Sequence, residues 1–74
     1  MTIEERKILR KVGQRLKQYR IQAGLTQRKV FILTNHSPNS ICNYEHGDRA
    51  ARITTLYKLA KLYKCSITDF FDGL

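Results

Sequence analysis

The stretch Thr26-Gln27-Arg28-Lys29-Val30-Phe31-Ile32-Leu33-Thr34-Asn35-His36-Ser37-Pro38-Asn39-Ser40-Ile41-Cys42-Asn43-Tyr44-Glu45-His46-Gly47 holds two helix starts and two helix stops. The hydroxyl of Thr26 can accept from the N–H groups of the turn that follows, so a helix is predicted from Gln27 to about Leu33. Asn35 is the kind of non-glycine residue that best tolerates a left-handed backbone, which places a sharp turn at Thr34 to His36. Ser37-Pro38 restarts the helix: the residue before proline is pushed out of the helical region, as a cap must be, and proline suits the first helical position. This second short helix ends near His46, with Gly47 as terminator. Ile41 and Tyr44 give it a buried face and leave Asn39, Ser40 and Asn43 on the others. Asparagine is a mediocre helix former, so two of them facing outward beside Ser40 point to a surface kept for contact rather than for stability.

Upstream, Ile3 to Ala23 contains no proline, and Leu9, Val12, Leu16, Tyr19 and Ala23 fall at spacings of 3, 4, 3 and 4. That periodicity predicts one long helix with a single buried stripe, stopped by Gly24. Arg6, Lys7, Arg10, Lys11, Arg15, Lys17 and Arg20 make it basic. Downstream, Asp48 to Arg52 is a basic connection, and Ile53, Leu56, Leu59, Ala60 and Tyr63 describe a further amphipathic helix with Lys58, Lys61 and Lys64 on its charged side. Ser66 and Asp69 resemble a capping box that opens a last short helix through Phe70 and Phe71. No segment alternates with period two. The reading is an all-α fold of five helices, one domain over residues 1–74.

A chain of 74 residues has room for one small hydrophobic centre. Its 42% apolar and 27% charged residues exclude disorder. Fourteen Lys and Arg against six Asp and Glu give a formal charge of +8, a field that attracts nucleic acid, an anionic membrane surface or an acidic protein. The longest apolar run, Val30 to Leu33, is far short of the roughly 20 residues of a membrane span. Cys42 and Cys65 form no disulfide framework, and no signal-like stretch opens the chain, so both are read as thiols, Cys65 as a core residue, in a soluble cytoplasmic protein. Cys42 and His46 share a helix face, yet His36 and Cys65 complete no known ligand spacing, so no metal and no cofactor is predicted. No nucleophile, base and orienting group fall in a convincing arrangement, and no enzyme activity is predicted.

Two short helices joined by a tight turn are what a helix-turn-helix requires physically. Val12-Gly13-Gln14-Arg15-Leu16-Lys17-Gln18-Tyr19-Arg20, Gly24-Leu25-Thr26-Gln27, Ile41-Cys42-Asn43-Tyr44-Glu45-His46-Gly47 and Leu56-Tyr57-Lys58-Leu59-Ala60-Lys61-Leu62 together resemble the Cro/cI-type repressor family, also called the XRE family. The resemblance covers about residues 12–71, with the motif at about 27–46. It implies a compact five-helix, lambda-repressor-like DNA-binding domain, with the helix from about Pro38 to Glu45 in the major groove. Carried over by position, it places Ser37, Pro38, Asn39, Ser40 and Asn43 at the groove and Gln27 on a phosphate. His46 and the Arg49 to Arg52 connection fall in a phosphate-contacting region, and Arg20 and Glu45 match a family ion pair. Departures gather around the turn: Phe31 stands where the family prefers alanine, and Thr34, Asn35 and His36 replace leucine, glycine and valine. Pro38 replaces a residue that often reads a base and offers only apolar contact.

The expected function is therefore sequence-specific binding of double-stranded DNA by a transcriptional regulator, by default a repressor. A homodimer on an inverted-repeat operator would need contacts from the last helices. Tyr63, Phe70, Phe71 and Leu74 are the candidates, because Phe70 and Phe71 are not easily buried together in one short helix. An antitoxin-type or other protein-interaction module with the same fold is the alternative. A membrane binder is disfavoured, since the apolar stripe of the first helix is needed for the core.

Overall fold

The computed structural model describes all 74 residues. Four α-helices, α1 (Ile3–Gln22), α2 (Gln27–Thr34), α3 (Pro38–His46) and α4 (Ile53–Leu62), are followed by a short 3-10 helix, Ile67–Phe71. No helix is long and apolar enough to cross a membrane.

The starts follow local hydrogen bonding. Thr26 accepts from the Lys29 N–H at 3.1 Å, and Ser37 accepts from the Ser40 N–H at 3.2 Å with Pro38 in the first turn. Ser66 and Asp69 form a reciprocal capping box. A second such box, Thr2 with Glu5, opens α1; it was present in the sequence and went unread. The hydrogen bonds from the Thr2 backbone and side chain hold the Glu5 carboxyl below the usual carboxylate range.

Three expectations are corrected. α2 continues one residue past Leu33, because the Thr34 hydroxyl donates to the Val30 carbonyl at 2.7 Å and the left-handed corner falls on Asn35, at φ 58°. Ala23 does not belong to the buried stripe: it is the exposed C-cap of α1, where the chain turns away through Gly24. The fifth helix is a 3-10 turn of five residues, bounded by the Ser66 cap and an extended Asp72, a length at which the tighter helix is common.

The core gathers Val12 and Leu16 of α1, Val30 of α2, Ile41 and Tyr44 of α3, Leu56, Leu59 and Ala60 of α4, then Tyr63 and Phe70. Phe70 is 0% exposed and meets Tyr19 and Tyr63 edge-on, at ring distances of 6.0 and 6.5 Å. Tyr63 and Phe70 are thus core residues and cannot offer a dimer surface as anticipated, whereas Phe71 and Leu74 are exposed. The 3-10 turn resolves the adjacent phenylalanines by sending one inward and one out.

α1 crosses α3 at Gly13. A Cβ there would lie 2.5 Å from the Glu45 carbonyl oxygen and 2.6 Å from that of Tyr44. Glycine inside a helix costs about 1 kcal/mol relative to alanine; here its missing side chain lets one backbone rest on the carbonyls of another.

Candidate nucleic-acid interface

At about 100° per residue, α3 turns Ile41, Tyr44 and Glu45 inward and presents Asn39, Asn43 and His46 on the opposite side. Asn39 and His46 are exposed and Asn43 half-buried. Ser37 and Ser40 share a hydrogen bond between their hydroxyls at 2.9 Å, and Pro38 is exposed beside them. On the flank of this face the Cys42 thiol lies 3.4 Å from Nδ1 of His46. His36, the other histidine, points elsewhere. Arg49 and Arg52 are both exposed on the connection that follows α3. Arg52 is the N-cap residue of α4 and makes no side-chain cap, since a guanidinium can only donate and the opening N–H groups need an acceptor.

What holds α3 is a buried polar network. Arg20 Nε donates to Glu45 Oε2 at 2.6 Å and Nη2 to Oε1 at 3.2 Å, while Nη1 donates to the Leu25 carbonyl at 2.8 Å. The two side chains are 10% and 3% exposed. The Gln27 amide donates to the same Glu45 Oε1 at 3.0 Å. One carboxylate therefore ties the end of α1, the start of α2 and the last turn of α3 together. Such a fork-to-carboxylate pair fixes orientation as well as distance. It also uses one hydrogen of the Gln27 amide and leaves the other free.

The hydroxyl of Tyr63 is buried with no hydrogen-bond partner. Its ionisation is pushed well above the usual tyrosine range, by burial first and then by the charge of Glu45, against the opposing pull of Arg20.

Three contributors were missed in the sequence. His36 lies at 3.1 Å through Nδ1 from the Thr34 carbonyl and at 3.4 Å through Nε2 from the buried Thr55 hydroxyl, with its ring edge-on to Tyr44 at 6.5 Å. The carbonyl can only accept, so Nδ1 carries a proton and donates to it, while Nε2 and the Thr55 hydroxyl share a hydrogen bond. The histidine thereby braces the turn against α3 and α4, where hydropathy registers only a polar substitution. Gly13 was read as a motif letter, with no signal of the backbone contact it permits. Arg28, exposed beside Gln27 in the first turn of α2, was legible as a cation immediately after a helix cap.

A left-handed corner between two short helices, a buried brace behind the second and an amide-bearing face followed by two exposed arginines define a helix-turn-helix domain. Residues 16–70 match the family model described as helix-turn-helix, and the chain belongs to that family, in its Cro/cI or XRE branch. Over 62 residues it is 40% identical to the HTH-type transcriptional regulator ImmR of Bacillus subtilis (strain 168), covering 84% of this chain and 48% of that protein. Over 60 residues it is 37% identical to the HTH-type transcriptional regulator PuuR of Escherichia coli (strain K12), covering 81% of this chain and 32% of that one. The chain thus spans half or less of the length of these relatives.

Proposed function

We propose that this domain is the DNA-reading part of a cytoplasmic transcriptional repressor, which binds a two-fold operator as a homodimer with α3, from Pro38 to Glu45, in the major groove. The observation that carries the reading is the outward face of α3: Asn39, Asn43 and His46 side by side, with Arg49 and Arg52 next in the chain. Asparagine can bond bidentately to the N6/N7 edge of adenine, and arginine suits phosphate. Ser37 and Ser40 have hydroxyls that can re-orient toward a base or phosphate, and Pro38 can touch a thymine methyl. Gln27 can meet a phosphate with its free amide hydrogen while Glu45 holds the other, beside the N–H groups that open α2. The formal charge of +8 draws the domain to DNA of any sequence, and α3 then selects. The names of the two relatives support a regulatory role. One nine-residue helix reads few base pairs, so two-fold pairing, with half-sites about 10 base pairs apart, supplies the specificity.

Selection of bound sites from random duplexes, followed by competition titrations on operator and scrambled DNA at several salt concentrations, tests this. Enriched sites should be inverted repeats. Asn39→Ala and Asn43→Ala should each cost about 1–3 kcal/mol on the operator and little on scrambled DNA. Arg49→Ala and Arg52→Ala should weaken both equally. With roughly 4–8 phosphate contacts per dimer, log affinity should fall against log salt with a slope of about −4 to −7, reduced by about one for each arginine lost. Asparagine variants that lost both kinds of binding in parallel would remove α3 from the groove, and a slope near zero would favour a protein partner.

A further inference from the structure

Gly13 seats α1 on the carbonyls of α3, and α1 and α4 each pack on the 3-10 helix. Between α1 and the start of α4 lies a cleft of about 270 Å³. Its floor is the core itself: Val12 and Leu16 of α1, Tyr44 of α3 and Leu56 of α4 are all buried. Its rim is exposed, with Ile8 of α1, Phe71 of the 3-10 helix and Arg49 of the connection after α3. Nine of the ten residues that line it are apolar, and Arg49 is the exception. That arginine has no acid of its own, because the chain's one ion pair joins Arg20 to Glu45.

We propose that this cleft is an effector site for an amphipathic monocarboxylate, an aliphatic or aromatic acid of roughly ten non-hydrogen atoms. The apolar body fills the cleft over Leu16 and Leu56, and the carboxylate pairs with Arg49. Few polar groups in a largely apolar concavity are what a small-ligand site consists of, the polar ones fixing orientation. Here the only such group is a guanidinium, whose planar fork matches a carboxylate. A neutral apolar molecule would forgo that pair. A cationic amphiphile would meet Arg49 with like charge, in a domain of formal charge +8. Size sets the other bound: 270 Å³ is the space of roughly nine waters, at about 30 Å³ each in the liquid. A helix about 10 Å across cannot enter such a space.

The consequence for DNA rests on the reading above, which puts Arg49 on a phosphate. A guanidinium forked onto a ligand carboxylate is withdrawn from the phosphate, so the two anions compete for one side chain. The ligand should therefore weaken operator binding, and DNA should weaken ligand binding by the same factor.

Isothermal titration of the full chain with sodium octanoate, without DNA and at constant ionic strength made up with acetate, tests the site. Octanoate should bind once per chain, about ten-fold or more tighter than 1-octanol, because a hydrogen bond to a charged group is lost with the alcohol. Arg49→Gln should weaken octanoate about ten-fold and leave octanol unchanged. Ile8→Glu, which sets a carboxylate on the rim, should weaken octanoate as well. Both side chains are exposed, so the melting curves of these variants should match wild type. Operator titrations at several salt concentrations, with saturating octanoate, should lose about one unit of salt slope per chain, as Arg49→Ala does. Arg49→Ala protein should show no further response to octanoate, whereas Arg52→Ala protein should still respond. If octanoate binds no more tightly than octanol, or neither binds at millimolar concentration, the carboxylate site is overturned and the DNA reading stands; octanol-like binding would mark a cleft covered by a second copy or another segment. If octanoate binds through Arg49 but no duplex is bound with or without it, the site stands and the DNA reading falls. If both bind and octanoate leaves operator affinity and salt slope unchanged, the competition for Arg49 is overturned.

Discussion

Gly13→Ala sets a local preference directly against a tertiary one. In an isolated helix the change is favourable by about 1 kcal/mol, because alanine loses less backbone freedom than glycine. In this fold the new Cβ falls 2.5 Å from the Glu45 carbonyl oxygen, 2.6 Å from that of Tyr44 and 2.9 Å from the Glu45 carbonyl carbon. These are backbone atoms of a packed helix, so no side chain can swing aside. The gap must open from 2.5 Å toward the 3.4 Å of an ordinary contact, and that motion carries Glu45 away from Arg20, to which it is bonded at 2.6 and 3.2 Å. Overpacking of this kind costs typically 1–3 kcal/mol, and the strained ion pair adds to it. Net of the helical gain, we expect a loss of about 1–3 kcal/mol, which at roughly 4–8 °C per kcal/mol for a domain of this size lowers Tm by about 10 °C. Urea and thermal unfolding measure it, with exposed Gln14→Ala as the neighbouring control that should change little. A Gly13→Ala protein as stable as wild type or more so would show that helix propensity dominates and that α1 and α3 do not meet at this distance.

Glu45→Ala leaves Arg20 buried without its counter-charge and strips the Gln27 amide of its acceptor. Removing one side of a buried pair costs on the order of 3–5 kcal/mol, and an unchanged urea midpoint would show that the network contributes nothing to the fold. Tyr63→Phe removes a buried hydroxyl that has no partner, so stability should hold or rise by up to about 1 kcal/mol. The folded-state pKa of Tyr63 lies above the ordinary value of 10.0, so its contribution is complete below pH 10 and is lost above it, where the unfolded chain releases the proton and the native one keeps it. Wild-type stability should therefore fall below that of Tyr63→Phe above pH 10 by up to about 1.4 kcal/mol per pH unit; parallel alkaline stability curves would contradict the burial argument.

The parts of the fold that local chemistry dictates were readable from residue types. Thr26, Asn35, Ser37-Pro38 and Gly47 mark starts and stops through their own hydrogen bonds and backbone preferences, and the structure sets the element boundaries there to within a residue. Where two side chains compete for one interior, local chemistry gives no ruling. Phe70 and Phe71 are equally apolar, and only the rotation of a 3-10 turn decides that the first is fully buried and the second is not. Tyr63 is similar: its spacing from Leu56, Leu59 and Ala60 continues the inner stripe of α4 to the C-cap, and it was nevertheless also a candidate for the dimer surface. Pairwise closeness is less visible still. Nothing in the residues around Gly13 or His36 announces which backbone or hydroxyl lies opposite, because those partners are 19 to 32 residues away along the chain.

The distinction bears on how the candidate interface works. α3 has nine residues, of which three are buried, and a helix so short is marginal on its own. Its direction is therefore set from outside: by the Glu45 carboxylate gripped by Arg20 and Gln27, by the Tyr44 and Glu45 carbonyls seated on Gly13, and by His36 wedged between the turn and Thr55. Asn39 and Asn43 can distinguish base edges only if they arrive at a fixed depth and angle, since hydrogen bonds weaken steeply with misalignment. Specificity should then be as sensitive to Gly13, Arg20 and His36 as to the asparagines themselves. His36→Ala, by freeing the turn, should flatten base preference while Arg49 and Arg52 keep most non-specific affinity, a pattern that titrations on operator and scrambled duplexes resolve. A His36→Ala protein with undiminished discrimination would mean that the ion pair and the Gly13 contact suffice to aim the helix.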